Sequence, residues 1–477
     1  MKICLINPTN VNRDWGYSFP PLGIAYIAAK VLALGFEVFV FDRDLLLWKN
    51  NMDFKRVDEL TEKMLREERP DFVGIGATTP LIFDTYKVAR MVKKIVPLAR
   101  VIAGGVHPTI LSHQVMADCK EIDCVVVGEG EETFVNILLG NKAENILGIL
   151  YRKGEDVVAN PLPPPIKEMD SILFPARELL DMRSYTQKSK HLIRGVSLKG
   201  TSIFTTRGCP FLCSFCCAPL VFGRSVRYHS AGYVIAELEH LIERYKVEGI
   251  YFADDMFASN LARAHAICDE IIKRGINRKI VFAVQMKANA VDEDILLKLK
   301  KAGCIQVEYG FESGSQKMLD LMNKRVKIAD NYKAAGLTRK VGLRILANLI
   351  VGMPGETKED FAQTMRFLKK IKPDVAGLYK LVLLPGTKLY NDFEKQFSEA
   401  KNWDCSLVDD LNINLTDIPK SEFIALFKKA KAGISISNAR AYILYNFKRN
   451  AFATIGEVLF LVINKVRSYI RKVKQCR

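Results

Sequence analysis

Short apolar runs alternate with amphipathic stretches from the first residues onward. Ile3-Cys4-Leu5-Ile6 reads as a buried strand that ends in Asn7-Pro8, and Leu22 to Leu34 keeps helical spacing until Gly35 stops it. Further strands are predicted at 37–42, 72–76, 100–105 and 124–128, with helices over 55–66 and 83–96. Apolar strands separated by helices predict an α/β, doubly wound parallel sheet over residues 1–160. Such sheets bind ligands at the carboxyl ends of their strands. Thr78 and Thr79 fall at the end of the third strand, Gly104, Gly105 and His107 at the fourth, and Gly128 and Glu129 at the fifth. Small residues there let a bulky ligand or another domain approach the backbone.

Asn160-Pro161-Leu162-Pro163-Pro164-Pro165 then reads as a stiff spacer, opening a polar linker over 161–198. The strand Ser202-Ile203-Phe204-Thr205-Thr206 begins a second series, continued at 249–252, 280–284, 304–310, 343–351 and 375–382. Six strand-helix units over 199–395 predict a partial (β/α)6 barrel with its functional loops at the carboxyl ends. Residues 396–477 predict a mostly helical region. Trp403-Asp404-Cys405 opens an irregular stretch expected to cover the barrel mouth.

A length of 477 residues exceeds one ordinary core, and a hydrophobic fraction of 49% supports a globular protein of two or three domains. The eleven cysteines are scattered and Met1-Lys2 leads straight into a strand, which points to a reducing cytoplasm and away from a disulfide framework. The formal charge of +17 calls for an anionic partner. Much of it is C-terminal: from Ala439 to Arg477 there are nine Lys and Arg against the single acid Glu457. The apolar run 451–463 is too short to span a bilayer, but with its basic flank it suits either an amphipathic helix lying on the inner face of the membrane or a helix packed on the barrel.

The chemistry concentrates in Thr206-Arg207-Gly208-Cys209-Pro210-Phe211-Leu212-Cys213-Ser214-Phe215-Cys216. Three thiolates spaced C-x3-C-x2-C can hold an iron-sulfur cluster and leave one iron without a protein ligand, open to a substrate. Phe215 supplies an apolar wall beside it. The plainer reading is a zinc knuckle or buried thiols; zinc would need a fourth ligand, and Cys217 adjoins Cys216 while the next histidine is His229.

The triplet resembles that of the radical S-adenosylmethionine (SAM) superfamily. Tyr251-Phe252-Ala253-Asp254-Asp255, Glu308-Tyr309-Gly310-Phe311-Glu312-Ser313, Val351-Gly352-Met353-Pro354-Gly355-Glu356 and Leu384-Pro385-Gly386-Thr387 follow in the expected order. Over about residues 1 to 395 the chain is similar to the branch that carries an N-terminal cobalamin-binding domain of flavodoxin-like type. The resemblance implies a [4Fe-4S] cluster on Cys209, Cys213 and Cys216, and SAM cleaved to a 5′-deoxyadenosyl radical by an electron from a low-potential donor such as ferredoxin or flavodoxin. It also implies a methyl group delivered from cobalamin to an unactivated carbon of a small-molecule or lipid substrate. Radical cyclisation or rearrangement without methyl transfer is the runner-up.

For SAM, Asp254 and Asp255 are expected as acceptors for its ammonium, with a structural role the alternative for one of the two, and Glu308 and Glu312 for ribose or ammonium with Ser313 beside them. Gly352 would present backbone to adenine. For cobalamin, the resemblance implies Thr78, Thr79, Gly104, Gly105, His107, Gly128 and Glu129, though a structural role suits the lone His107 better. Asn10 to Tyr17 stands where the Asp-x-His-x-x-Gly fingerprint would fall, so no histidine is expected on cobalt, and a purely structural first domain is the alternative. A tRNA methylthiotransferase would need three more cluster cysteines, which Cys4, Cys119 and Cys124 do not supply, and a C-terminal RNA-binding barrel, so nucleic acid is a poor fit. A non-enzymatic electron carrier would not need the SAM acceptors.

Overall fold

The computed structural model describes residues 1–9, 19–394 and 413–449. A first sheet holds β1 (Lys2–Asn7), β2 (Glu37–Asp42), β3 (Phe72–Gly76), β4 (Arg100–Gly104), β5 (Cys124–Val126), β6 (Ile149–Lys153) and β7 (Asp156–Ala159) in the order β2-β1-β3-β4-β5-β6-β7. The first five are parallel, in the flavodoxin-like order whose crevice opens between the ends of β1 and β3. Alternate residues feed two cores: Cys4, Ile6, Val73, Ile75 and Val101 pack on one face, Ile3, Leu5, Ile102 and Val126 on the other. That is the double winding expected from the apolar runs. The antiparallel hairpin β6-β7 extends the predicted five strands to seven; it pairs Lys153 with Asp156 around a two-residue turn, and its polar outward positions hid it among loop signals.

The stretch after the proline spacer is more than a solvated linker. Met169 and Ile172 pack on Leu22 and Tyr26, and Arg177, 1 % exposed, donates to Glu237 across 2.7 Å. A hairpin, β8 (Ser189–Ile193) and β9 (Val196–Leu198), then packs Leu192, Ile193 and Val196 against Ala283, with Tyr251 and Val281 beside it.

The second sheet contains β10 (Gly200–Ile203), β13 (Gly249–Phe252), β14 (Val281–Met286), β15 (Cys304–Glu312), β16 (Arg344–Val351) and β17 (Val375–Lys380), all parallel and in that order. The short pair β11 (Thr206–Arg207) and β12 (Arg227–Tyr228) brackets the cysteine loop. Ile250, Phe252, Phe282, Val284, Val307, Tyr309, Ile345 and Ala347 face the surrounding helices and form the main core. The intervening residues point into the half-barrel.

Beyond β17, the helix Lys420–Arg449 lies along the open edge, where Asn438 exchanges hydrogen bonds with the backbone of Ala376, and Asn446 bonds Ser197 and Gly195. Trp403-Asp404-Cys405 and the run 451–463 lie outside the described residues. Among the described residues no helix is long and apolar enough to cross a membrane.

Candidate active site at the cysteine loop

The loop carrying Cys209, Cys213 and Cys216 leaves β11 through Gly208, whose φ of +97° and whose hypothetical Cβ, 2.4 Å from the Ser225 carbonyl oxygen, both demand glycine. The loop is pinned to the barrel from several sides. Ser214 donates its amide to Met322 O (2.9 Å) and its hydroxyl to Leu321 O (3.1 Å), Asn323 Nδ2 donates to Leu212 O (2.7 Å), and Leu389 donates to Ser214 O. Phe215 packs with Met318, Met322, Met353 and Leu381, setting an apolar wall between the loop and the end of β16. Burial raises the pKa of all three thiols, that of Cys216 to about 12, a cost that a bound metal would offset.

Among the described residues no three His, Cys, Asp or Glu side chains converge on a single metal ion.

Asp254 and Asp255, at the end of β13, have separate fates. Asp254 is fully buried and accepts from Thr205 N (2.6 Å), Thr205 Oγ1 (2.5 Å) and Thr206 N (2.8 Å), tying β10 to β13 beneath the cysteine loop. It has the structural role that the sequence left open for one of the pair. Asp255 remains solvent-accessible and makes no hydrogen bond to the described residues, although burial, then the charge of Asp254, pushes its pKa up. Its charge acts on Cys209, Cys216 and Cys217.

Glu308 and Glu312 do not act as a pair at the strand end. Glu308 lies inside the barrel, 3 % exposed, and accepts from Tyr251 Oη (3.1 Å) and Gln306 Nε2 (3.3 Å). Glu312 terminates β15 after a register shift, at φ +60°, and its carboxylate folds back over Gly310 to meet Lys324 Nζ at 2.7 Å. A Cβ on Gly310 would lie 2.3 Å from Glu312 Oε1, so glycine leaves the space this ion pair occupies.

Ser313 is held by its neighbours. Its hydroxyl is buried, bonded to Thr364 Oγ1 (3.0 Å) and accepting from Ser315 N (3.1 Å). The amide of Gly352 is also occupied: Gly352 N (2.5 Å) and Met353 N (3.1 Å) both donate to Glu356, which shapes the loop from within.

Of the residues expected around cobalamin, Thr78 is exposed at the end of β3 while Thr79 is buried and bonds His107 Nδ1 through its hydroxyl at 3.2 Å. His107 is 1 % exposed, and burial lowers its pKa to about 4, so it stands neutral beneath the loop instead of facing a ligand. Gly105 has φ +96°, and a Cβ would lie 2.8 Å from Ala77 O. The backbone therefore requires that glycine with or without cobalamin. Gly104 has ordinary room, 3.7 Å from Val126 Cβ, and Gly128 opens onto space.

Glu129 bridges the domains: it pairs with Arg207 (2.8 Å) and Arg227 (2.7 Å), while Glu131 takes the other arm of Arg207 (2.5 Å). The helix Val106–Ile110 also packs on the helix Ala218–Phe222 that leaves the cysteine loop. The carboxyl end of the first sheet thus abuts the loop of the second.

The chain matches the family model "Radical SAM superfamily" over residues 203–368 and "B12 binding domain" over 9–138. It is 34% identical over 405 residues to an uncharacterized methyltransferase of Pyrococcus horikoshii, covering 82% of each protein. The chain belongs to the cobalamin-binding radical SAM family. It is an enzyme, and its cofactors are a [4Fe-4S] cluster, SAM and cobalamin. It is also 29% identical to the anaerobic magnesium-protoporphyrin IX monomethyl ester cyclase of Cereibacter sphaeroides over 83% of this chain and 64% of that one. In fold it is similar to the radical SAM methyltransferase TsrM from Kitasatospora setae, solved with tryptophan substrate and a SAM analog, at a TM-score of 0.69 and 20% identity, covering 83% of this chain and 76% of that chain.

Within this family member, several side chains that sequence reasoning passed over stand at the site. Lys324 lies 324 positions into the chain with no motif around it, and only the fold brings it to Glu312 and the cysteines. Arg194, from the turn of the β8-β9 hairpin, donates to Tyr379 Oη at 2.5 Å inside the barrel. Arg207, directly before Gly208-Cys209, was visible as a neighbour of the triplet, but its partners Glu129 and Glu131 were not.

Glu356 yields a pH prediction. Burial, against the two amides it accepts, raises its pKa to about 7. A carboxyl whose pKa is raised on folding stabilises the fold below its unfolded pKa and loses that contribution as pH rises through the folded one. Between pH 4.5 and about 7 the melting temperature of the parent should therefore fall relative to that of Glu356→Gln. Parallel pH profiles of the two proteins in thermal denaturation would refute it.

Proposed function

We propose that this chain is a cobalamin-dependent radical SAM methyltransferase that acts on an unactivated carbon of a polar small molecule. The observation that carries the reading is the seam at Arg207: this residue opens the cysteine loop and reaches Glu129 and Glu131 at the strand ends of the first sheet, so the two cofactor-binding faces share one junction. When bound, the cofactors supply a radical that removes a hydrogen atom and a methyl group to replace it. The protein's share is placement. Asp255 and Glu312 offer carboxylates at the barrel mouth, Phe215 and Met353 an apolar wall, and Thr78 and Gly104 an accessible strand-end surface for cobalamin. A low-potential donor such as ferredoxin or flavodoxin, both acidic as a class, suits the net charge of +17.

Arg194, Tyr251, Glu308, Asn348 and Tyr379 line the interior of the half-barrel. Arg194 bonds Tyr379, and Glu308 bonds Tyr251. Such a lining suits a substrate carrying hydrogen-bonding groups more than a pure hydrocarbon skeleton. The decisive experiment feeds extract of a deletion strain to reconstituted enzyme with SAM bearing a deuterated methyl group. A new labelled product establishes methyl transfer; an unlabelled, cyclised or oxidised product establishes the cyclase-like reading that the similarity to the protoporphyrin cyclase favours, and overturns the proposal.

The first domain carries a separate prediction. His107 is buried, neutral and held by Thr79, so His107→Gln should leave the electron paramagnetic resonance spectrum of bound Co(II) cobalamin unchanged, without nitrogen splitting from the protein in either case. Such splitting in the parent that disappears in the variant would place His107 on cobalt.

A further inference from the structure

The helix Lys420–Arg449 has two unlike faces. On the inner one, Phe423, Phe427 and Ile434 pack into the main core, while Asn438 and Asn446 hold the edges of the half-barrel at Ala376, Gly195 and Ser197. The opposite face carries Ile436 (72 % exposed), Ile443 (41 %), Leu444 (55 %) and Phe447 (49 %). Ile436 and Ile443 stand two turns apart and Phe447 one turn further, so these side chains form a single stripe along the helix. An exposed apolar stripe of this kind marks a surface that meets something apolar.

The charges on the outward face have one sign. Lys429, two turns before Ile436, and Arg440, one turn after it, are exposed and make no ion pair among the described residues. The helix holds seven Lys and Arg against one acid, Glu422, and that acid pairs with Lys358 at 2.7 Å. The bias continues along the sequence, with nine Lys and Arg from Ala439 to Arg477 against the single Glu457. A two-fold contact with a second copy would set Lys429 and Arg440 against like charges, with no free acid on the face to answer them. An anionic bilayer offers both groups that the face lacks, phosphates for the cations and hydrocarbon for the stripe.

We propose that the outward face of this helix docks the enzyme on an anionic phospholipid surface. The helix lies in the plane of the membrane, with Ile436, Ile443, Leu444 and Phe447 at the acyl boundary and Lys429 and Arg440 at the phosphates. Among the described residues no helix is long and apolar enough to cross a membrane, so the contact is with the surface alone. It does not depend on which carbon the enzyme methylates.

The test floats the purified full chain with vesicles of phosphatidylcholine alone, or of phosphatidylcholine mixed with phosphatidylglycerol. It compares the parent with Ile443→Ser/Phe447→Ser and Lys429→Glu/Arg440→Glu. All four positions are exposed, so both double variants should melt with the parent. The parent should bind the mixed vesicles and not the neutral ones, and added salt should release it. Each double variant should bind the mixed vesicles about tenfold more weakly or worse, through two lost apolar side chains or two reversed charges. Parental binding in either variant overturns the proposal, because the chain beyond Arg449 would then bind without this face. Equal binding of the parent to both kinds of vesicle, or to neither, overturns it too. So does a parent that is dimeric in sedimentation without vesicles and monomeric as Ile443→Ser/Phe447→Ser, since a second copy would then cover the stripe.

Discussion

Cys209→Ala, Cys213→Ala and Cys216→Ala should each abolish the iron-sulfur cluster and with it all reductive cleavage of SAM, whereas Cys217→Ala should retain both. The three residues share one loop fixed at Ser214, Leu212 and Gly208, so each contributes a ligand that no neighbouring side chain can replace. Cys217 adjoins the triplet but stands at the N-terminus of the helix Ala218–Phe222, outside the C-x3-C-x2-C spacing. Reconstituted parent should bind about four irons per chain, as one cluster requires. The measurements are iron and sulfide analysis, the visible absorption of the cluster, and release of 5′-deoxyadenosine under a low-potential reductant. A Cys213→Ala protein with parental iron and cleavage would remove the triplet from the chemistry. About eight irons per chain in the parent would mean that cysteines elsewhere hold a second cluster.

Asp254→Ala should unfold the barrel mouth, while Asp255→Ala should leave the fold intact and weaken SAM binding. Removing the Asp254 carboxylate strands three buried donors, Thr205 N, Thr205 Oγ1 and Thr206 N. Each stranded donor costs about 1–3 kcal/mol, and together they take a large part of a stability that is typically about 5–15 kcal/mol. Asp254→Asn, which keeps one acceptor oxygen, should fall between parent and Ala. At Asp255 no described hydrogen bond is lost, so denaturation should change by about 0.5 kcal/mol or less, while SAM affinity drops roughly tenfold or more. Denaturant titration beside SAM dialysis separates the two roles. Equal melting of both alanine variants, or SAM loss confined to Asp254→Ala, would reverse the assignment.

These outcomes show where the chain is legible without a fold. The cysteine spacing, the apolar strands and the glycines after them are local, and local pattern is enough to place the two α/β units in order and to point to three named residues for the cluster. Asp254-Asp255 illustrates the limit. Both stand at a strand end, but only the packing of β10 against β13 brings the Thr205 and Thr206 amides to Asp254 and leaves Asp255 facing the loop. Even spacing put Glu308 and Glu312 on one face, yet the register shift and the left-handed backbone at Glu312 send its carboxylate back to Lys324.

His107 and Glu129 illustrate the same limit. Each is near the expected strand end, but a neighbour remote in sequence claims it: Thr79 for His107, Arg207 and Arg227 for Glu129. By itself, then, the sequence determined the family and the order of the two sheets and singled out the cysteine triplet as the expected cluster site, because these depend on residue type and spacing within short segments. Which acidic residues the fold ties into hydrogen bonds, and which it leaves at the loop, were decided by the tertiary structure, since hydrogen-bond saturation depends on partners that only folding brings within reach.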